Sequence, residues 1–175
     1  MSNENCILCQ IVGNQVPAYV IYEDDIALGI LDVNGAQLGH TFIIPKNHYP
    51  ILEQVPDEEI GHLFNVANKI SSALFEKMKI QGTNIYVTNG IPAGQRVAHF
   101  MINVIPRLEN DGINLQWAPK QLGEEEMSTV ELKLKDQAQT AVVSKQAKRP
   151  SKVVEHAVVS DDDEDYYAGH LNRIP

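Results

Sequence analysis

The sequence predicts an α+β domain in which an antiparallel sheet is combined with one long helix. Three observations predict it: short β-patterned runs in a row, one long amphipathic run between them, and a balanced composition. Hydrophobic residues make up 43% of the 175 residues and charged residues 21%, the mix of a globular protein with a real core. Strands that follow one another, with a single helix between, fit this class better than a doubly wound sheet.

The elements follow in order. Cys6-Ile7-Leu8-Cys9-Gln10-Ile11-Val12 reads as a short turn or the opening of a helix. Residues 19–23 read as a strand, and residues 26–32 as a second after the Asp24-Asp25 turn. Residues 38–45 make a third, ending at Pro45, which lacks a ladder donor. The clearest helix runs from Asp57 to Met78. Ile60, Leu63, Phe64, Ala67, Ile70 and Leu74 recur there at steps of three and four. Asp57, Glu58 and Glu59 open it and Lys77 and Lys79 close it, as the helix dipole favours. Residues 84–88 form a fourth strand, followed by the loop Asn89-Gly90-Ile91-Pro92-Ala93-Gly94-Gln95 and a last strand over 96–105, stopped by Pro106. A Glu-rich helix covers 123–138. The domain reading is one body over 1–140, a charged linker over 141–165, and a C-terminal segment over 166–175, read as a docked short helix or plain tail.

Charge and composition exclude several classes. Lys and Arg number 14 against 23 Asp and Glu, a net charge of −9. Residues 1–144 hold 9 basic and 17 acidic side chains, so broad binding to a nucleic-acid backbone is not expected. No apolar run is long enough for a membrane span. Met1-Ser2-Asn3-Glu4-Asn5 has neither a basic nor an apolar leader region, and the expected compartment is the cytoplasm. Two cysteines, Cys6 and Cys9, make no disulfide scaffold; as a Cys-x-x-Cys pair in a reduced compartment they point to metal or redox chemistry.

The last strand carries the strongest chemical signal. Strict alternation puts Val97, His99, Met101, Asn103 and Ile105 on one face, where His99 and Asn103 need polar partners. A satisfied core histidine and a capped asparagine are one reading. The preceding glycine loop adds another, because glycines let backbone amides approach an anion closely.

The separated stretches Cys6-x-x-Cys9, Tyr22-Glu23-Asp24, Leu31-Asp32-Val33, Gly39-His40-Thr41-Phe42-Ile43-Ile44-Pro45-Lys46-Asn47-His48, Thr88-Asn89-Gly90, Gly94-Gln95-Arg96-Val97-Ala98-His99 and Ile105-Pro106-Arg107 come in one order and spacing. Together, over residues 6 to about 120, they resemble the zinc-bearing, nucleotide-binding branch of the histidine triad (HIT) family. The resemblance implies the HIT-like α+β fold and a homodimer paired through the long helix and the final strand. It implies a structural zinc on Cys6, Cys9, His48 and His99, a donor set that suits a tetrahedral site. It also implies a pocket for a nucleotide or other small phosphate-containing ligand. Asp32 would bond ribose hydroxyls. Asn89, Gly94 and Gln95 would hold the α-phosphate, and Ile7, Ile11, Ile30 and Leu31 would flank the base. As plain residues, Asp32 and Asn89 also read as turn formers, and Trp117 as core filler or as a neighbour of the site or dimer interface.

The departures from the family pattern shape the functional reading. The family's His-x-His-x-His reads here His99-Phe100-Met101-Ile102-Asn103. The middle histidine, which becomes nucleotidylated in the family, is Met101, and a thioether is no useful nucleophile toward phosphorus. The third is Asn103. The family's serine after Gly-Gln is Arg96, either a surface arginine or a fixed cation beside an anion pocket. The expectation is a phosphate-ligand binder without the histidine nucleophile. Two rivals stand beside it. One is an enzyme with other chemistry, in which Met101 and Asn103, expected among the ligand-binding residues, shape the same pocket for another substrate and Arg96 or His40 takes part in catalysis. The other is a non-catalytic scaffold whose tail contacts a protein partner. His40, His62, His156 and His170 otherwise read as structural or exposed.

Overall fold

The structure is a computed structural model that describes residues 4–143. Of the expected linker and C-terminal segment, residues from 144 onward lie outside the described residues, as do His156 and His170. The chain divides into two compact units between Gln116 and Trp117. The first unit holds helix α1 (Ile7–Val12), strands β1 (Val20–Glu23), β2 (Ala27–Leu31) and β3 (Thr41–Pro45), the long helix α2 (Asp57–Met78), and strands β4 (Gly82–Val87) and β5 (Ile102–Arg107). The second unit holds α3 (Glu124–Val143), which opens on Glu124, Glu125 and Glu126 and leaves Met127, Val130, Leu132 and Leu134 exposed. Trp117, at the start of this unit, is exposed and fills no core. Among the described residues no helix is long and apolar enough to cross a membrane.

The five strands form one sheet in the order β1-β2-β3-β5-β4, antiparallel at every pairing. Alternation sends neighbours to opposite faces. Ala27, Ile43, Ile102 and Val104 face α2, where they meet Leu63, Val66, Ala67, Ile70 and Leu74. Leu28, Ile30 and Ile44 face the other way and pack with Cys6, Leu8 and Cys9 of the α1 region. The helix can approach this closely because Gly29 lacks a side chain: a Cβ there would lie 3.0 Å from Tyr22 Cβ and 3.1 Å from Ile70 Cδ1.

Three details differ from the sequence reading. Phe64 points outward at 42% exposure, because it stands only one residue from Leu63 on the helical wheel, and Val66 takes the inward place. The last strand begins at Ile102, six residues later than expected. Ahead of it the chain bends: His99 N–H donates to Val97 O at 2.8 Å and Phe100 N–H to Tyr49 O at 2.6 Å, outside the ladder. Pro106 does not end the strand; it pairs with Thr83 one step before the terminal Gly82–Arg107 pair. Strand β5 is interior, so the free edge on that side of the sheet belongs to β4.

The turn between β1 and β2 is knotted to α2 through Asp24. Its Oδ1 accepts the N–H groups of Ile26 at 2.8 Å and Ala27 at 2.7 Å. Its Oδ2 accepts Tyr22 Oη–H at 2.5 Å and lies 2.6 Å from Nε2 of His62 on the helix. Burial alone would raise the Asp24 pKa, but the bonds from Tyr22, Ala27, Ile26 and His62 outweigh it and hold the carboxyl well below its usual range. A depressed folded-state pKa contributes stability above the free-carboxyl value of 3.8 that is lost as pH falls through and below it. Asp24→Asn is therefore expected to destabilise the fold at pH 7 by about 1–3 kcal/mol. It should also flatten part of the parent's decline below about pH 4. Thermal melts of both proteins across pH 3 to 7 (about four points suffice) check this; parallel curves would remove Asp24 from the acid response.

Candidate functional site

The first turn of α1 brings two thiols to one side. Gln10 N–H donates to Cys6 O at 3.0 Å, and the three-residue step from Cys6 to Cys9 stacks their side chains. His48 follows the end of β3, and His99 sits in the bend before β5. Cys6 Sγ lies 3.5 Å and Cys9 Sγ 3.6 Å from His99 Nδ1, and Cys9 Sγ lies 3.2 Å from His48 Nδ1. All four donor atoms fall within 4.8 Å of one another. Zinc bonds of about 2.3 Å to sulfur and 2.0–2.1 Å to nitrogen imply sulfur–nitrogen edges of about 3.6 Å in a tetrahedron. The two sulfur distances to His99 match that figure and the Cys9–His48 distance falls somewhat below it, and the imidazoles of His48 and His99 stand at 84° to each other.

The tautomer of His99 is fixed by its surroundings. Its Nε2–H donates to the Pro45 carbonyl at 3.0 Å; a carbonyl only accepts, so the Nδ1 lone pair faces the thiols. Burial is the main cause that pushes the His99 pKa down, His48 adds to it, and the Pro45 bond opposes it. The arrangement suits a cation held by two thiolates and two neutral imidazoles. With four protein ligands it leaves no open position for catalysis.

Next to this cluster a polar chain crosses the same sheet face. Asp32 Oδ1 accepts Asn34 N–H at 2.8 Å, and Asp32 N–H donates to His40 O at 2.8 Å. His40 Nδ1 accepts Ala36 N–H at 3.1 Å, which leaves the ring proton on Nε2. That proton points to Asn103 Oδ1 at 3.3 Å. Nδ1 also lies 3.5 Å from Asp32 Oδ2, a true ion pair only if the ring is protonated. The shorter amide contact and the burial that chiefly lowers the His40 pKa, against the opposing pull of Asn103 and Asp32, favour the neutral ring. Asn103 stands opposite Phe42 on β3 and Tyr86 on β4.

His40 is thus no bystander: it is 6% exposed and joins Asp32 to Asn103. The signal that would have revealed it is the β3–β5 register, which alternation within one strand does not contain. Tyr86 was missed for the same reason. His62, by contrast, has the structural place expected of it.

The loop before the bend is held from inside. Gln95 Oε1 accepts Gly90 N–H at 2.8 Å, and its Nε2 donates to Pro50 O at 2.7 Å and Val97 O at 2.9 Å. Asn89 Oδ1 accepts Leu52 N–H at 2.9 Å, and its Nδ2 donates to both Glu53 oxygens at 2.8 and 3.0 Å. Gly94 closes the 3₁₀ turn over Ile91–Ala93 at φ +90°, a backbone state that suits glycine. The side chains of Asn89 and Gln95 therefore brace the loop. Arg96 is exposed beside it, outside any regular strand. Met101 is half-buried and packs on the cluster of Cys6, Leu8, Cys9, Leu28, Ile30 and Ile44. Of the residues expected beside a base, Ile30 lies in that cluster, Ile11 packs against it, Leu31 is half-buried and Ile7 is 42% exposed.

The HIT domain profile matches residues 13–110. The chain belongs to the HIT family. An uncharacterised HIT-like protein of Methanocaldococcus jannaschii is 40% identical over 107 residues, 61% of this chain and 82% of that protein. The adenylylsulfatase HINT3 of Arabidopsis thaliana is 38% identical over 118 residues, 67% of this chain and 58% of that longer protein. A crystal structure of a zinc-bound histidine triad family protein from Mycobacterium smegmatis superposes with a TM-score of 0.61 at 36% identity, over 66% of this chain and 84% of that one. The α+β class with an antiparallel sheet is as the sequence predicted.

Because three hydrogen bonds converge on one amide, Gln95→Ala is expected to destabilise the HIT domain by about 1–3 kcal/mol. Urea denaturation measures it. An unchanged midpoint would show that the glycine loop is held by something other than Gln95.

Proposed function

We propose that this HIT protein holds one structural zinc per chain on Cys6, Cys9, His48 and His99. Beside it, the protein binds a nucleotide or other small phosphate-containing ligand without a histidine nucleophile. The observation that carries this reading is Met101. It occupies the family's middle-histidine position and packs half-buried on the apolar cluster, while Asp32 and the braced glycine loop remain in place. Asp32 keeps lone pairs for ribose hydroxyls. The loop from Asn89 through Gly94 and Gln95 borders the expected phosphate side, and the exposed Arg96 adds a charge at its rim. The adenylyl chemistry in one relative's name and the zinc in another's structure support the ligand class and the metal.

The same reading includes pairing of two copies through α2, whose Phe64, Phe75 and Met78 are exposed; the final strand expected to share in it is interior, and the free edge beside it is that of β4. It includes a cytoplasmic home for the reduced thiols, and a 1–140 body ahead of a 141–165 linker and a 166–175 segment able to meet a protein partner. A second reading, an enzyme with other chemistry, draws on His40, a buried imidazole between Asp32 and Asn103.

Metal analysis of protein purified without chelator is expected to find about one zinc per chain. His99→Ala should lose it and fall in stability by about 3 kcal/mol or more, since metal affinity in a closed site is folding free energy. Metal-free protein with an unaltered melting curve would refute the assignment.

Adenosine phosphoramidate and dinucleoside polyphosphates should turn over at no more than the residual rate that binding and electrostatics leave once a nucleophile is gone. Acid quench with labelled substrate should trap no nucleotidyl-protein, and Met101→Ala should change any residual rate less than about twofold. Rapid turnover through a trapped intermediate would sink the reading.

A further inference from the structure

Two nucleophilic side chains meet in the apolar cluster on the sheet face opposite α2. Cys6 and Cys9 are the only cysteines of the 175-residue chain. Both are buried thiols, and their sulfurs lie within 4.8 Å of each other. Cys6 is the N-cap of α1, with extended backbone dihedrals (φ −96°, ψ 118°) and no side-chain capping bond. Its sulfur can therefore turn toward Cys9 without costing the helix a cap. The surroundings favour an uncharged product. Beyond His48 and His99, the pair packs among Leu8, Leu28, Ile30 and Ile44, with Met101 against them. Two thiolates suit that packing only while a cation lies between them, because buried charge needs a partner. A disulfide is neutral and suits it without one.

We propose that Cys6 and Cys9 are a reversible redox switch: a hydroperoxide oxidises them to an intrachain disulfide that takes the four-donor metal cluster apart. This rests on the zinc reading above and adds its regulation. One thiolate sulfur attacks a peroxide oxygen. The O–O bond breaks, the sulfur becomes a sulfenic acid, and the displaced oxygen takes a proton from solvent. The second thiolate attacks that sulfur, the S–O bond breaks, and the hydroxide leaves as water with a second solvent proton. The two sulfurs give up two electrons in all, and the peroxide takes both. A resolving sulfur this near intercepts the sulfenic acid ahead of further oxidation. His48 and His99 then remain as two donors where zinc takes four. The His99–Pro45 bond at 3.0 Å and the packing of Leu8 do not involve the thiols. The bend and α1 thus keep contacts that outlast the metal, and a dithiol reverses the step by exchange.

The test uses the full chain purified without chelator, with zinc per chain measured first. Hydrogen peroxide is added beside a chromogenic zinc chelator, against a peroxide-free control, and the thiols are counted by alkylation and mass spectrometry. The expected result is release of about one zinc per chain in step with loss of both alkylatable thiols. The peptide holding Cys6 and Cys9 should lose the mass of two hydrogens, and dithiothreitol followed by zinc should restore both readings. The parent alone decides, so no variant has to fold. Several outcomes overturn the switch and leave the metal reading standing: zinc retained after the disulfide has formed, oxygen added to the sulfurs in its place, a disulfide linking two chains, or thiols untouched by peroxide that fully oxidises free cysteine. A parent that carries no zinc and takes none up removes the switch and the metal reading together.

Discussion

The hydrogen bond from His99 Nε2 to the Pro45 carbonyl is the constraint on which the site depends. It joins the end of β3 to the bend before β5, two places 54 residues apart in the chain. Because a carbonyl can only accept, the bond also fixes which ring nitrogen faces Cys6 and Cys9. The bend is what makes this possible. Had the strand run straight from Arg96, His99 would lie in the ladder and Phe100 N–H would have sought a neighbouring strand; instead that group is satisfied by Tyr49 O. The segment between His40 and Tyr49 thus receives both the metal-type cluster and the polar chain through Asn103, and one pairing, β3 on β5, holds the two together.

The sequence was legible where local rules dominate. The bounds of α2 could be read to the residue because its apolar period, acidic opening and basic close agree, and the αL residue Lys79 ends it. The four converging donor side chains were legible only through the family resemblance, since a Cys-x-x-Cys pair does not say which histidines it meets. What escaped is what depends on register. His40 looked like any histidine after a glycine, and only the Phe42–Asn103 pairing shows that it meets Asn103. Asn89 and Gln95 have the residue types of ligand-binding loops, but their amides are consumed by Glu53, Leu52, Pro50 and Val97. No local pattern encodes those partners.

Met101 and Asn103 solve different physical problems. Met101 meets the apolar cluster that backs the thiols, where an unbranched thioether fills irregular space without a polar atom to satisfy. Asn103 sits in the polar chain, where a neutral amide accepts the His40 proton as readily as an imidazole would and does not titrate. Together they place two side chains that do not titrate on the sheet face, one on the apolar cluster and one against His40. His99 has both ring nitrogens committed, Nε2 to the Pro45 carbonyl and Nδ1 toward the two thiols.

This division separates an apolar demand at position 101 from a polar one at position 103 on one sheet face. Histidine at the nucleophile position needs an acceptor, a donor and room to turn; methionine needs only contact. Met101 therefore packs on the cluster of Leu28, Ile30 and Ile44 that closes around Cys6 and Cys9. On the same face the Asp32 carboxylate, the His40 ring and the Asn103 amide form a polar chain beside that apolar cluster. An amide keeps a donor and an acceptor in fixed directions without titrating, so the Asn103 end of this chain holds its geometry across the pH range in which an imidazole would change charge.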